Sequence, residues 1–306
     1  MGFDFKMLSV RNSYCAKWKD FCPAQYIHTP VHITSRTPQE QFPLHNHDFD
    51  ELIYVYKGFG VNFFRNQFKL ILPGHVFFYQ AQHYHAYPLS CDLHLLNMLI
   101  NKENLSDDYP YFQKLSSQLN LYQKHYFPIP LSYHDFLQLR SLSEKIKSEA
   151  IEDDEYSHLM IASIFKELII IVLRSLEGRR QNIAASNRSG YGFFKLLQKD
   201  TLTNIYNHED FHQILTHHQV HERKFKSYLL KMTGLTPNHL IQYNRMLHFA
   251  NLFLEDTSYN IEELCYEAGY KDYRSFSRNV SIIFGQSPRR VCHHLTHLKN
   301  TLSLIK

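Results

Sequence analysis

Residues Ile261 to Pro288 constrain this chain more than any other stretch. Ile261, Leu264 and Cys265 recur at helical spacing. Ala268-Gly269-Tyr270 follows, where a glycine supplies the positive φ of a tight turn. Asp272 then stands where an N-cap belongs. Phe276 and Val280 lay one apolar stripe along a second helix, and Tyr273, Arg274, Ser275, Ser277, Arg278 and Ser281 fall mostly on its other faces. A short helix, a glycine turn and a helix with an Arg/Ser/Tyr surface make a helix-turn-helix, which lays its second helix in the major groove of DNA. An ordinary αα-hairpin with a solvated charged face has the same periodicity, so spacing alone leaves both readings standing.

The whole string separates them. Ile261, Leu264, Ala268-Gly269-Tyr270, Asp272, Phe276-Ser277-Arg278, Phe284-Gly285 and Ser287-Pro288 resemble, in register, the second helix-turn-helix of the AraC/XylS family of transcription regulators. Cys265 stands for the family's usual alanine and Val280 for its usual aromatic. Upstream, His208–Gly234 is similar to the family's first helix-turn-helix. Phe211, Ile214, Leu215 and Val220 frame it, and Phe225, Tyr228 and Leu229 anchor its second helix. This copy departs from the pattern: Leu215 replaces an alanine and Gln219 the turn glycine, which implies a wider turn. Leu235–Leu254 fits the long helix joining the copies, with Pro237 near its first turn. After Pro288 the basic tail (Arg289, Arg290, His293, His294, His297) reads as frayed. The resemblance implies a double-stranded DNA partner, contacted by Arg223, Lys224, Lys226 and Ser227 in the first copy and by Tyr273, Arg274, Ser275, Ser277 and Arg278 in the second.

Charge placement agrees. The net charge is only +4, but residues 191–306 hold 14 Lys/Arg against 10 Asp/Glu, while 1–190 hold 19 against 19. The excess sits where a polyanion would bind. With 306 residues there is room for two domains, and 44% apolar with 20% charged residues describes a globular chain. No apolar run reaches the length of a membrane span; Leu168–Leu173 is far too short. The N-terminus lacks a signal-peptide pattern, which reads as cytoplasmic. Five cysteines without CxxC spacing argue for reduced thiols rather than a disulfide framework or zinc knot.

Residues 1–30 are aromatic-rich without a clear period. From Val31 to about Leu99 the chain reads as short strands separated by turns: His45–Tyr56, a turn at Lys57-Gly58-Phe59-Gly60, Val61–Phe64, Phe68–Leu72, the Pro73-Gly74 turn, then Val76–Tyr79. The spacing of His45, His47, Glu51 and Gly58 resembles the first motif of the cupin fold, a jelly-roll barrel, and Leu72-Pro73-Gly74 with His83 and His85 resembles the second. In metal cupins two His, a Glu and a later His meet inside the barrel, which here would be His45, His47, Glu51 and His85, with His83 the alternative for the last. In sugar-responsive regulators of the AraC type the same positions line a pocket without metal. The surrounding aromatics, Tyr54 among them, favour that second reading, so the expected ligand set is His45, His47, Glu51, Tyr54 and His85, with no cofactor and no metal.

Residues 100–130 show little pattern. From Ser132 the period turns helical: Phe136, Leu139, Leu142 and Ile146 share one face, and after the acidic run Glu152–Glu155 a second helix carries Ile161, Ile164, Leu168, Ile171 or Val172, and Ser175. Such a pair either covers the barrel or forms a homodimer seam. The polar stretch from Glu177 to Gly192 reads as a linker.

The fold expected is therefore α+β in two domains: a cupin-like jelly-roll barrel with a helical pair, and an all-α domain with two helix-turn-helix motifs. The boundaries are 1–131 for the effector-binding domain, 132–177 for the helical pair, 178–192 for the linker and 193–306 for the DNA-binding domain. Within the family, His45–Gly60, Phe77–Tyr87 and Asp92–Ile100 most resemble the activators of L-rhamnose catabolic operons. That resemblance implies a non-enzymatic activator: a homodimer that binds a small-molecule effector, a sugar, and partners RNA polymerase. The alternatives are a metal-dependent cupin enzyme fused to a DNA-binding domain and a regulator answering a non-sugar ligand.

Overall fold

The computed structural model describes residues 2–9, 14–22, 24, 27–105, 110–123, 128–152, 154, 156–177, 190–198 and 201–303. Most of the expected linker, residues 178–189, and part of the acidic run lie outside the described residues.

The N-terminal part is β1 (Tyr14–Ala16), α1 (Trp18–Phe21), β2 (Val31–Gln39), β3 (Phe42–His47), β4 (Asp50–Phe64), β5 (Gln67–Ile71), β6 (His75–Tyr79), β7 (His85–Ile100), α2 (Pro110–Gln123) and β8 (Ile129–Pro130). Two long antiparallel strands, β4 and β7, form its spine. Their first and second halves belong to different layers. Leu93–Ile100 of β7 pairs with β2, and Glu51–Tyr54 of β4 pairs with β6, which also carries β8. His85 and Tyr87 of β7 pair with β3, which carries β1, while Gly60–Phe64 of β4 pairs with β5. Side chains from both layers meet inside: Ile53, Val55, Phe77, Tyr79, Leu93 and Leu95 from one, Phe64, Ile71 and Tyr87 from the other. All eight strands belong to one sheet, which folds over along its β4–β7 spine to enclose an apolar interior, as expected of a jelly-roll barrel.

The spine bends where the sequence reads as a turn. Lys57-Gly58-Phe59-Gly60 does not reverse the chain; it is a bulge within β4, with register shifts on either side of Lys57. Gly58 sits at φ +77° opposite Asp92, itself at φ +46°, and a Cβ at Gly58 would collide with the Asp92 carbonyl. The glycine permits the backbone contact that folds one strand across two layers.

The C-terminal part is all helical: α5 (Tyr191–Leu197), α6 (His208–His217), α7 (Glu222–Thr233), α8 (Pro237–Glu255), α9 (Ile261–Glu267), α10 (Tyr273–Phe284) and α11 (Pro288–Leu302). Between the two parts lie α3 (Tyr133–Glu152) and α4 (Ser157–Leu176). Two weakly patterned stretches prove ordered. Residues 110–123 form α2, and the tail expected to fray forms α11, which buries Val291, Leu295, Leu298 and Leu302 at helical spacing.

The helices α3 and α4 pack on each other and on the barrel. Leu168 is 0% exposed, and Ile164, Ile171 and Val172 are buried with it inside one chain. These residues cover the barrel. At the tip where the two helices meet, Ile151, Tyr156, Leu159 and Met160 are exposed. The helical domain also packs directly on the barrel. Phe59 faces Tyr243 at 5.0 Å between ring centroids, Phe136 faces Phe194 at 4.5 Å, and the Phe3 amide donates to the Ile283 carbonyl at 3.1 Å.

Candidate functional site

Alternation along β4 sends Glu51, Ile53 and Val55 into the barrel and Leu52 and Tyr54 out of it. Tyr54 therefore leaves the expected ligand set. Three residues from Glu51, it faces the opposite side, where its hydroxyl donates to the Phe136 carbonyl of α3 at 3.0 Å. The other four expected residues converge. His45 and His47, two apart on β3, reach inward from one layer, and His85 of β7 lies opposite His45 in the same layer. Glu51 meets them from the other layer: its Oε2 is 3.4 Å from Nε2 of His47 and 3.4 Å from Nε2 of His85. The His45 ring lies 4.1 Å from that of His85, centroid to centroid, and Tyr79 stacks on His85 at 3.8 Å.

All four groups are buried. Each imidazole has its Nδ1 beside a backbone carbonyl: His47 to Phe49 at 2.5 Å, His45 to Pro43 at 2.8 Å, His85 to His83 at 3.3 Å. With Nδ1 donating to the carbonyl, Nε2 faces inward, where it offers a lone pair when the ring is neutral and an N–H to Glu51 when the ring is protonated. Burial lowers the pKa of both His45 and His85, and for His45 the neighbouring His85 adds to it. Burial alone would raise Glu51, but the two facing imidazoles outweigh it and hold the carboxyl well below the usual carboxylate range.

Thr34, Gln39, Asn97 and Tyr87 complete the polar lining, and Phe21, Phe42 and Phe49 supply aromatic walls. Together these residues line one cleft, whose volume of about 430 Å³ includes its opening to solvent. Gln39 and Thr34 went unforeseen because β2 has no motif; only its pairing with β7 brings them here. His83, the alternative for the last position, has its Nδ1 accepting from the Gln80 amide at the turn instead.

In the helical domain the two helix-turn-helix units share one turn. In the second, Gly269 N–H donates to Tyr266 O at 2.8 Å and Tyr270 N–H to Cys265 O at 3.1 Å. In the first, Gln219 N–H donates to Thr216 O at 3.0 Å and Val220 N–H to Leu215 O at 2.8 Å. Gln219 takes φ +55° where Gly269 takes φ +82°. The turn is therefore not widened by the missing glycine; glutamine adopts the left-handed conformation instead. The difference lies just after it. One residue separates Gln219 from the N-cap of α7, His221, which gives no side-chain cap, while two separate Gly269 from Asp272, whose carboxylate accepts the Ser275 amide at 2.8 Å.

On α10, Phe276 is buried against Phe249 of α8, while Tyr273, Arg274 and Arg278 are exposed and Ser275 and Ser277 half-exposed. On α7, Arg223, Lys224, Lys226 and Ser227 are exposed. There Lys226 is paired with Glu222 at 2.5 Å, and His212 approaches the same carboxylate at 3.3 Å. The first recognition surface thus carries an anion at its leading end.

A family model described as a helix-turn-helix domain matches residues 215–293, which span the second helix of the first unit through the second unit. The transcriptional activator RhaR of Cronobacter sakazakii is 26% identical over 275 residues, covering 85% of this chain and 90% of that protein. The activator RhaS of an Enterobacter species is 27% identical over 282 residues, covering 89% and 94%. The chain thus carries a helix-turn-helix domain and is similar, over most of its length, to AraC-type transcription activators. Its likeness to those activators runs through the barrel as well as the DNA-binding domain. Among solved structures, ToxT from Vibrio cholerae aligns at 14% identity over 87% of this chain and 98% of that one, with a TM-score of 0.30. Among the described residues, no helix is long and apolar enough to cross a membrane.

Proposed function

We propose that this regulator is a ligand-responsive activator of a sugar-catabolic operon, of the L-rhamnose kind, which takes its effector at the mouth of the barrel site. The observation that carries the reading is the cleft lined by His45, His47, Glu51, His85, Tyr87 and Asn97, in a barrel on which the DNA-binding domain is packed. A hydroxylated ligand finds there a carboxylate, imidazoles and amides to hydrogen-bond and the rings of Phe21, Phe42 and Phe49 to lie against. Likeness to RhaR and RhaS supplies the sugar. The active form is a homodimer joined at the exposed α3–α4 tip. Each chain sets α7 and α10 in successive major grooves, about 34 Å apart, and recruits RNA polymerase.

Calorimetry of the full chain against L-rhamnose and a panel of other sugars tests it. One sugar should bind, and His47→Ala or Glu51→Ala should abolish the heat. Equal binding by wild type and both variants would remove these residues from the effector site.

A further inference from the structure

We infer that His47, Glu51 and His85 hold a divalent first-row transition-metal ion, so that this regulator senses its effector through a metal centre. The three residues present Nε2, Oε2 and Nε2, all within 4.8 Å of one another and all buried. Two donors that each stand about 2.1 Å from one ion at the tetrahedral angle are about 3.4 Å apart. Glu51 Oε2 lies 3.4 Å from each of the two nitrogens. That spacing suits a shared ion better than a direct contact, because a charge-assisted hydrogen bond would draw the atoms to about 2.8 Å.

The atoms that would bind the ion are otherwise unserved. Neither His47 Nε2 nor Glu51 Oε2 has a hydrogen-bond partner, although both are fully buried. Orphaned polar atoms are costly in an apolar interior and call for a ligand. The supporting groups are in place: the carbonyls of Phe49 and His83 fix the Nδ1 sides of His47 and His85, as outer-shell partners fix ligating histidines.

Two imidazoles and one carboxylate leave coordination positions open, and this donor set suits Fe, Co, Ni, Mn or Zn rather than Mg or Ca. All three ligands line the cleft, so an ion held by them is within reach of a molecule bound there. His45 stands next to them, its ring 4.1 Å from that of His85, where it can serve as a fourth ligand or orient a bound oxygen. The effector class that follows has two neighbouring oxygens, as in a vicinal diol or hydroxy acid, able to chelate the ion. This deepens the effector-site reading and rests on it for the role of the ion, but not for its presence.

The test uses the full chain without a polyhistidine tag, purified from metal-supplemented cells, stripped with EDTA and reloaded with Co(II) alone. We expect about one ion per chain by elemental analysis, and visible absorption bands of low-coordinate Co(II) that shift when the effector sugar is added. Glu51→Gln and His85→Gln should lose both the ion and the bands. His297→Asn, in the histidine-rich helix α11, should keep them, which separates the barrel site from surface capture. Circular dichroism checks that each variant is folded; should both barrel variants unfold, the Co(II) bands of the wild-type chain still decide. Substoichiometric metal with no Co(II) bands, or metal retained in folded Glu51→Gln, overturns the inference. Sugar binding by the stripped protein sinks the metal reading and leaves the effector reading, whereas metal without any sugar response does the reverse.

Discussion

Asn251 and Phe68 exchange two hydrogen bonds across the domain boundary. The Phe68 amide donates to Asn251 Oδ1 at 2.7 Å, and Asn251 Nδ2 donates to the Phe68 carbonyl at 2.9 Å. One side chain of α8 thus completes the backbone of β5 much as a neighbouring strand would. The contact lies in the helix that joins the two DNA-reading units, so it couples their placement to the barrel.

Replacing Asn251 with alanine leaves an amide and a carbonyl of the strand without their partner. Such a loss costs about 1–3 kcal/mol. Urea unfolding of Asn251→Ala should show a loss of that order, with the helical domain released to proteases earlier than in wild type. An unchanged midpoint would mean that the contact couples nothing.

Gln219 holds a left-handed conformation that a glycine holds in the sister unit. The penalty for a side chain there is roughly 1 kcal/mol. Gln219→Gly should therefore raise stability by about that amount, and Gly269→Ala should lower it by a similar one. Matching urea melts decide; a destabilised Gln219→Gly would show that its side chain has a role the backbone angle hides.

The seam positions expected from spacing make a different prediction once placed in the fold. Leu168 is buried in its own chain, so Leu168→Glu should unfold the barrel domain rather than separate a dimer, at a cost of about 3 kcal/mol or more. Met160→Glu and Leu159→Glu, at the exposed tip, should leave the fold intact and yield monomers in sedimentation equilibrium. A dimer that survives both tip variants would place the seam elsewhere.

His75 closes the turn before β6, where its Nδ1 accepts the Leu72 amide at 3.1 Å. Burial lowers its pKa from the usual 6.5 to about 3. An unfolded chain takes up a proton here near pH 6.5, whereas the folded chain resists until about pH 3. Stability from this site is thus full above pH 6.5 and falls as the pH drops from there toward 3. Urea midpoints at about pH 7 and about pH 5 should differ less in His75→Asn than in wild type. An identical pH slope would show that the folded chain protonates His75 as easily as the unfolded one.

The parts of this molecule legible in the sequence are those set by local spacing. The second helix-turn-helix is legible because the glycine turn, the Asp272 cap and the Phe276 stripe lie within one short run whose whole string resembles the family motif. His45, His47, Glu51 and His85 are legible as a group through their resemblance to the two cupin motifs. What fails is decided by distant partners. Lys57-Gly58-Phe59-Gly60 looks like a turn, yet pairing with β7 keeps it in one strand. Tyr54 looks like a pocket residue, yet its odd offset from Glu51 turns it outward to α3. Leu168 fits a seam, but its stripe is consumed by the barrel. Gln219 breaks the local rule for the turn, and the surrounding helices impose the conformation regardless.

In the proposed function this chain reads DNA with α10 as its main reader. Arg274 is exposed beside the capped start of α10, and its fork can take guanine O6 and N7 together, which discriminates by roughly 1–3 kcal/mol. Arg223, at the matching place on α7, follows directly on Glu222, whose carboxylate opposes the phosphate backbone. The measurement is binding of wild type, Arg274→Ala and Arg223→Ala to a duplex selected by the full chain and to its scrambled counterpart, at one fixed salt concentration. Arg274→Ala should weaken the selected duplex roughly 5- to 150-fold while scarcely changing the scrambled one, and Arg223→Ala should cost the selected duplex less. Equal weakening of both duplexes by Arg274→Ala, or a greater loss of specific binding in Arg223→Ala, would contradict the assignment of α10 as the reader.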